Sequence, residues 1–255
     1  MDRTKSPLLN RRQALGILAG AGASLLGTRA LAQGAAQGAA QGGAQGAALG
    51  AAPGSASSQR VAVAAQVQSF YDRTSALSAN FSQSYYHAIH RRTERGSGAL
   101  VLDKPGRIRF DYDDGKVMIS ADSRVSVYEP AEGDEPGHFL QRRAAENATH
   151  EGLRFLMGTA RLDEDYRFRL VDAARYRWRG HVLELRPRRA SASMRRVLLY
   201  VDSRAGREGV VHRIRIDDHD GNRNTLTFRR MSFASERDAS HYEFTPPPGT
   251  VLDVR

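Results

Sequence analysis

The chain has 255 residues, with 38 lysines and arginines against 28 aspartates and glutamates, a formal net charge of +10. It has no cysteine, which excludes a disulfide framework, a thiolate metal site, a cysteine nucleophile and a lipid anchor attached through an N-terminal cysteine. The length suits one or two domains, and the first segment does not read as part of a fold.

Asp2 to Arg12 form a polar, basic head. Ala14 to Leu26 follow as an apolar stretch, too short and too rich in small residues for a membrane span. Ala30-Leu31-Ala32 then offers a small-x-small cleavage site. Residues 1–32 are therefore expected to be a signal peptide cut near Ala32, the alternative being an uncleaved anchor helix. The pair Arg11-Arg12, followed by Gln13-Ala14-Leu15, resembles a twin-arginine export signal. Loss of Asp2 and of Arg3, Lys5, Arg11, Arg12 and Arg29 would leave 33 basic and 27 acidic residues. Pairs such as Arg91-Arg92, Arg142-Arg143 and Arg229-Arg230 are scattered and lack interleaved aromatics. A solvated basic surface is expected, with no nucleic-acid partner.

Residues 33–58 repeat Gln, Gly and Ala and then reach Pro53-Gly54-Ser55. Side chains this small bury too little to offset the entropy of ordering the backbone, so a disordered linker is expected. The folded domain is then 59–255. Val63, Val67, Phe70 and Leu77 recur at helical steps and predict an amphipathic helix over about 60–78, capped by Ser57 or Ser58.

Strands follow. Leu100 and Leu102 alternate with their neighbours. Ile108, Phe110 and Tyr112 alternate with Arg107, Arg109 and Asp111. The turn Asp113-Asp114-Gly115 leads to Val117 and Ile119, and Val125 and Val127 mark another strand. Leu140, Leu153, Phe155, Leu156 and Met157 break the period of two and suggest one or two short helices over 139–158, closing at Gly158. Further strands are read at Leu183 and Leu185, Val197 to Val201, His212 to Ile216, and Leu226 to Phe228, with Asp220-Gly221-Asn222 among the turns. Tyr242 and Phe244 lead into Pro246-Pro247-Pro248-Gly249, which should end regular pairing. The expectation is an α+β domain: a strongly curved antiparallel sheet or open barrel, partly covered by a few short helices around an apolar cavity.

Asp217-Asp218-His219-Asp220 is the densest group of metal-ligating residue types, but consecutive strand residues face opposite ways and a hairpin turn begins there. A polar turn is the better reading. The eight histidines show no zinc-type spacing and no Gly-x-Ser-x-Gly elbow occurs. No acid, base and nucleophile set converges, which disfavours an exported hydrolase. Trp178 reads as partly buried packing.

An ordered set of short elements carries a resemblance. Asn80-Phe81-Ser82-Gln83 is followed by Gly96-x-Gly98-Ala99-Leu100 and by Lys104-Pro105-Gly106-Arg107-Ile108-Arg109-Phe110-Asp111-Tyr112. Then come Tyr128-Glu129-Pro130, Leu153-Arg154-Phe155-Leu156-Met157-Gly158, Asp220-Gly221-Asn222 and Phe244-Thr245-Pro246-Pro247-Pro248-Gly249. Over about residues 62–252 this order resembles the LolA family of periplasmic outer-membrane lipoprotein carriers.

The resemblance implies an unclosed, LolA-like β-barrel with a short helical lid and an apolar cavity. It implies a monomeric, non-enzymatic periplasmic carrier without cofactor. Such a carrier takes triacylated lipoproteins from an inner-membrane lipoprotein release transporter and passes them to an outer-membrane receptor. It places Ile108 and Phe110 toward the acyl-chain cavity, the alternative being ordinary sheet core. Leu100, Leu102, Val117 and Ile119 are further candidates, because periodicity alone does not decide which face turns inward. Leu153, Phe155, Leu156 and Met157 would lie on the lid, the alternative being plain core. Family members often carry an arginine before the proline as a lid latch; Lys104 stands there, offering a point charge rather than a planar fork. An envelope lipid-binding or stress-sensing protein on the same fold is the alternative function.

Overall fold

The computed structural model describes residues 53–143, 151–191, 193–233 and 236–254. The expected signal peptide and most of the expected linker lie outside the described residues. Helix α1 spans Pro53–Asp72. Proline suits a first helical position, where its missing N–H would have no partner. The helix therefore starts before Ser57 and Ser58, within the expected linker, and stops earlier than position 78. Its buried stripe is Val63, Ala64, Val67 and Tyr71. Leu77 does not continue it. Thr74 closes the helix by donating its N–H to Tyr71 O (3.0 Å) and its hydroxyl to Phe70 O (2.9 Å).

Strand β1 (Ala76–His87) follows, then β2 (Arg92–Asp103), β3 (Arg107–Tyr112), β4 (Val117–Ala121), β5 (Arg124–Glu129) and β6 (His138–Arg143). Leu140 thus lies on a strand, and among the described residues of the stretch expected to be helical, Glu151–Leu153 forms a 3-10 turn. A short helix α2 (Leu162–Asp165) leads into β7 (Tyr166–Val171), β8 (His181–Pro187), β9 (Arg196–Val201), β10 (Val211–Asp217) and β11 (Arg223–Ser232). Tyr242 ends a 3-10 turn, Ala239–Tyr242. Pairing then resumes beyond the prolines, contrary to expectation, as β12 (Val251–Val254).

Among the described residues, twelve strands form one sheet, in the order β12-β6-β5-β4-β3-β2-β1-β11-β10-β9-β8-β7; two meanders meet at the β1–β11 pair, and β12–β6 alone is parallel. The sheet is unclosed, with β12 and β7 as its ends. It wraps around α1: the helix packs against β7 and β8, the Tyr71 hydroxyl accepts the Val211 N–H of β10 (3.2 Å), and Tyr71 O accepts the Lys104 ammonium beyond β2. One core fills the inside of this curve, from β7 across the sheet to Val127 of β5.

The outer face of β7 to β10 is held by charge. Glu184 is 1% exposed and accepts from Arg169 (3.1 Å), Arg186 (2.8 Å) and Arg196 (3.1 Å). Asp217 accepts from Arg196 (2.7 Å) and Arg215 (2.7 Å). Burial alone would raise the Glu184 carboxyl, but the guanidinium groups of Arg169 and Arg186 outweigh it and hold it below the ordinary range. A carboxyl whose folded value is depressed stabilises the fold above its unfolded value and loses that contribution as pH falls through the folded one. Stability against urea should therefore fall as pH drops below about 4.5. Glu184→Gln should cost about 2 kcal/mol at neutral pH and flatten that dependence; an unchanged acid slope would reject the assignment.

Candidate functional site: the covered inner face

Antiparallel partners share a face, so the strand register decides what points inward. Leu102 lies opposite Ile108, Leu100 opposite Phe110, and Phe110 opposite Met118. Leu77 and Ala79 of β1 extend these two rows. In the other meander Phe228 lies opposite Phe81, and a further inward row runs from Gln83 through Leu226, Ile214, Leu199 and Leu183. Ile108 and Phe110 are 0% exposed, and Leu100 and Leu102 are buried beside them. These four expected cavity residues lie together on the inner face.

Val117 and Ile119 do not join them, and the expectation for these two is corrected. Ile119 pairs with Arg109 and Val117 with Asp111, so both lie on the outer face. Met118 and Ser120 take the inner positions, opposite Phe110 and Ile108. The outer face here is covered by the C-terminal stretch. Arg109 donates to His241 O (2.8 Å), and the Phe244 ring packs on Tyr128 (5.0 Å) and Phe139 (6.0 Å). Tyr128 is the cross-strand neighbour of Val117.

The segment 151–158 lies across the inner face. Leu153, Phe155, Leu156 and Met157 are all buried in the same core as Leu100, Leu102, Ile108 and Phe110. Phe155 meets Tyr71 of α1 edge to face at 5.5 Å. Gly152 lets the segment come close: a Cβ there would stand 2.4 Å from Ile216 Cδ1. The segment turns on itself through Met157 N–H to Leu153 O (3.1 Å) and Thr159 N–H to Arg154 O (2.9 Å). Among the described residues, its backbone tie to the sheet is Gly106 N–H to Met157 O (3.1 Å). Beyond it, Leu162 N–H donates to Gln68 Oε1 of α1 (2.8 Å).

Lys104 sits beside this cover. Its methylene stem is packed at Gly158, where an added Cβ would stand 3.0 Å from Lys104 Cδ. Its ammonium donates to Tyr71 O, at the end of α1 where the helix dipole favours a cation. Burial pulls its pKa down, and Asp72 partly restores it. Lys104 therefore ties the β2–β3 turn to the helix rather than hydrogen-bonding the cover segment.

The remaining candidates have structural partners. Asp217 is paired with arginines, Asp218 accepts from Asn222 N–H (2.8 Å), and a His219 ring nitrogen meets Ser191 O (2.9 Å). Trp178 donates to Val201 O (3.0 Å) and packs edge to face on Tyr200 (5.7 Å). No group of three or more potential metal-ligating His, Asp or Glu gathers among the described residues.

Two outcomes follow from this placement. Phe110→Ala and Ile119→Ala should each cost about 3 kcal/mol of stability, read by urea unfolding. Only Phe110→Ala should change the uptake of an apolar fluorescent probe; equal effects would reject the division of the two faces. Lys104→Met should speed hydrogen exchange at amides 68–72 and cost about 1 kcal/mol, leaving 153–158 protected. Faster exchange at 153–158 alone would make Lys104 a latch on the cover.

Residues 72–245 match the family described as outer membrane lipoprotein carrier protein LolA. The chain is 26% identical over 201 residues to an outer-membrane lipoprotein carrier protein of Serratia proteamaculans, covering 78% of this chain and 91% of the relative. It is 24% identical over 195 residues to a protein of the same description from Alkalilimnicola ehrlichii, covering 75% and 84%. A crystal structure of a LolA superfamily protein from Nitrosomonas europaea superposes with a TM-score of 0.42 at 12% identity, over 72% of this chain and 97% of the other. With a family match spanning more than half of its residues, this chain belongs to the LolA family of outer membrane lipoprotein carrier proteins.

Proposed function

We propose that this chain is a periplasmic carrier that shelters the acyl chains of triacylated lipoproteins and ferries them from the inner to the outer membrane. The observation that carries this reading is the continuous apolar inner face of an unclosed sheet, covered by a short segment and one helix. Each buried methylene contributes about 0.8 kcal/mol, so bare acyl chains do not cross water unaided. A binding surface of Leu100, Leu102, Ile108 and Phe110 provides non-directional attraction without covalent chemistry or a cofactor. The segment bearing Leu153, Phe155, Leu156 and Met157 serves as the lid. It shields the face when empty and gives way when acyl chains enter. An inner-membrane lipoprotein release transporter would load the carrier, and an outer-membrane receptor would unload it. The basic head, apolar stretch and Ala30-Leu31-Ala32 site of residues 1–32 support export, with Arg11-Arg12 favouring the twin-arginine route.

Native mass spectrometry of the protein purified from its own periplasm, followed by lipid extraction, tests the role. A co-purified triacylated lipoprotein is expected. Free phospholipid alone would replace the carrier with a lipid-binding protein on the same fold.

A further inference from the structure

Along the strands the inner face changes from apolar to polar. Nearest the lid stand Leu77, Leu102 and Ile108, then Ala79, Leu100 and Phe110. Next come Phe81 and Tyr112, with Gly98 between them, and their rings meet edge to face at 4.9 Å. Beyond these the apolar rows of β1 to β3 end, while the Gln83 row runs on through Leu226 and Ile214 in the other meander. The Tyr112 hydroxyl donates to Gln83 Oε1 (2.9 Å), and the Gln83 amide donates to Asn224 Oδ1 (3.0 Å). All three side chains are more than nine-tenths buried. Polar groups this deep are costly to desolvate and need a reason to be there.

A cleft of about 280 Å³ opens on this polar layer, lined by Gln83, Tyr85, Gly96 and Tyr112. Gly96 lies directly across from Gln83, and its missing side chain leaves the space. A Cβ there would stand 3.1 Å from the Tyr112 ring. This accounts for the first glycine of Gly96-x-Gly98. The rim carries Arg95 and Lys116 against Glu94 and Asp114, so its charges balance and a free anion gains little. Hydrogen-bond donors remain. A glutamine amide has two N–H groups, and Gln83 gives one of them to Asn224. Burial, with Asp218, Glu94 and Asp220 nearby, pushes the Tyr85 phenol up to about 12, so it keeps its proton.

We propose that this cleft is the subsite for the carbonyl-bearing linkage of an acylated cysteine: its glyceryl esters and its amide. Gln83 and Tyr85 donate to the carbonyl oxygens. The acyl chains extend past Phe81 toward Phe110 and Ile108, and the attached polypeptide leaves over the β1–β2 hairpin. This inference rests on the carrier reading and adds a direction to it.

The test uses the full-length protein and a synthetic tripalmitoylated cysteinyl peptide with ester-linked chains. Its counterpart replaces the two ester linkages with ethers of the same length. Each ligand displaces an apolar fluorescent probe. The wild type should prefer the ester by roughly tenfold, the difference of about one charge-free hydrogen bond. Gln83→Leu should erase that preference while still binding the ether. Because Gln83→Leu leaves Asn224 and Tyr112 short of a partner, Gly96→Val provides a second variant, which fills the cleft and leaves the buried amide in place. It should erase the preference too. Equal binding of ester and ether by the wild type would overturn the subsite and leave the carrier reading standing, as would a preference that survives both substitutions in folded protein. Binding of neither ligand would overturn both.

Discussion

An open sheet with Leu100, Leu102, Ile108 and Phe110 along its inner face has to be covered, and the same cover has to come away for a ligand to enter. Those two demands set most of what surrounds the face. Burying a leucine, methionine or phenylalanine stabilises by about 1.5–3 kcal/mol each, so the four apolar side chains of the lid hold it with on the order of 8 kcal/mol, an upper figure because unfolded chains already bury some surface. An acyl chain of about sixteen carbons gains on the order of 12 kcal/mol by the same rule. On the carrier reading, a lid of this strength would seal an empty face and still be displaced by what the face binds. A single backbone bond, Gly106 N–H to Met157 O, is consistent with that balance.

The period of two made the inner strand β3 legible. Ile108 and Phe110 alternate cleanly with charged neighbours, and no competing pattern runs through them. The next hairpin was legible in its turn and not in its phase. Alternation shows that Val117 and Ile119 share a face, but a shift of one residue sends every side chain to the other side. The register that puts Met118 opposite Phe110 is fixed across the Asp113-Asp114-Gly115 turn by pairing, not by composition. The error was also hidden by burial: Ile119 is as buried as a core residue because the stretch 239–244 covers it from outside. Strand β1 was missed for a related reason. Ser78, Asn80, Ser82 and Ser84 have weak strand preference, and Leu77 happens to fall in step with the helix before it. Tertiary pairing on both sides, with β2 and β11, overrides that local signal.

The arginine-rich surface expected from composition has a specific structural part. On β7 to β10 it is an ordered lattice in which Arg169, Arg186, Arg196 and Arg215 surround Glu184 and Asp217. Two buried carboxylates would be costly alone, and the guanidinium forks satisfy them while remaining partly in water. Further along the same face, Arg213 lies over the Tyr200 ring at 5.0 Å beside Trp178. This half of the sheet is stiffened from outside, without a second layer of helices. The other half, β3 to β6, is stiffened by the C-terminal stretch and its aromatic contacts. Among the described residues, the inner face is covered chiefly by α1 and the segment from 153 to Leu162, with Met194 beside them.

Lys104 shows how the fixed and movable parts are separated. An arginine before the proline would have a planar fork able to reach carbonyls of the lid and hold it shut. Lysine has one compact charge, and here the end of α1 takes it through Tyr71 O. The helix is also held through the Tyr71 hydroxyl and Val211, and through Gln68 and Leu162. Its C-terminal half is therefore anchored to three separate parts of the wall. The lid, in contrast, relies on packing and a single bond to the sheet at Gly106. On the carrier reading, opening the inner face lifts 153–158 while α1 stays in place, with the Lys104 stem at Gly158 as the pivot side. The Gly152 end of the cover packs on Ile216, which pairs with Asn224 of the polar layer, and the Met157 end meets the β2–β3 turn at Gly106. Apolar contacts hold the cover between these ends, and an acyl chain would replace them in kind.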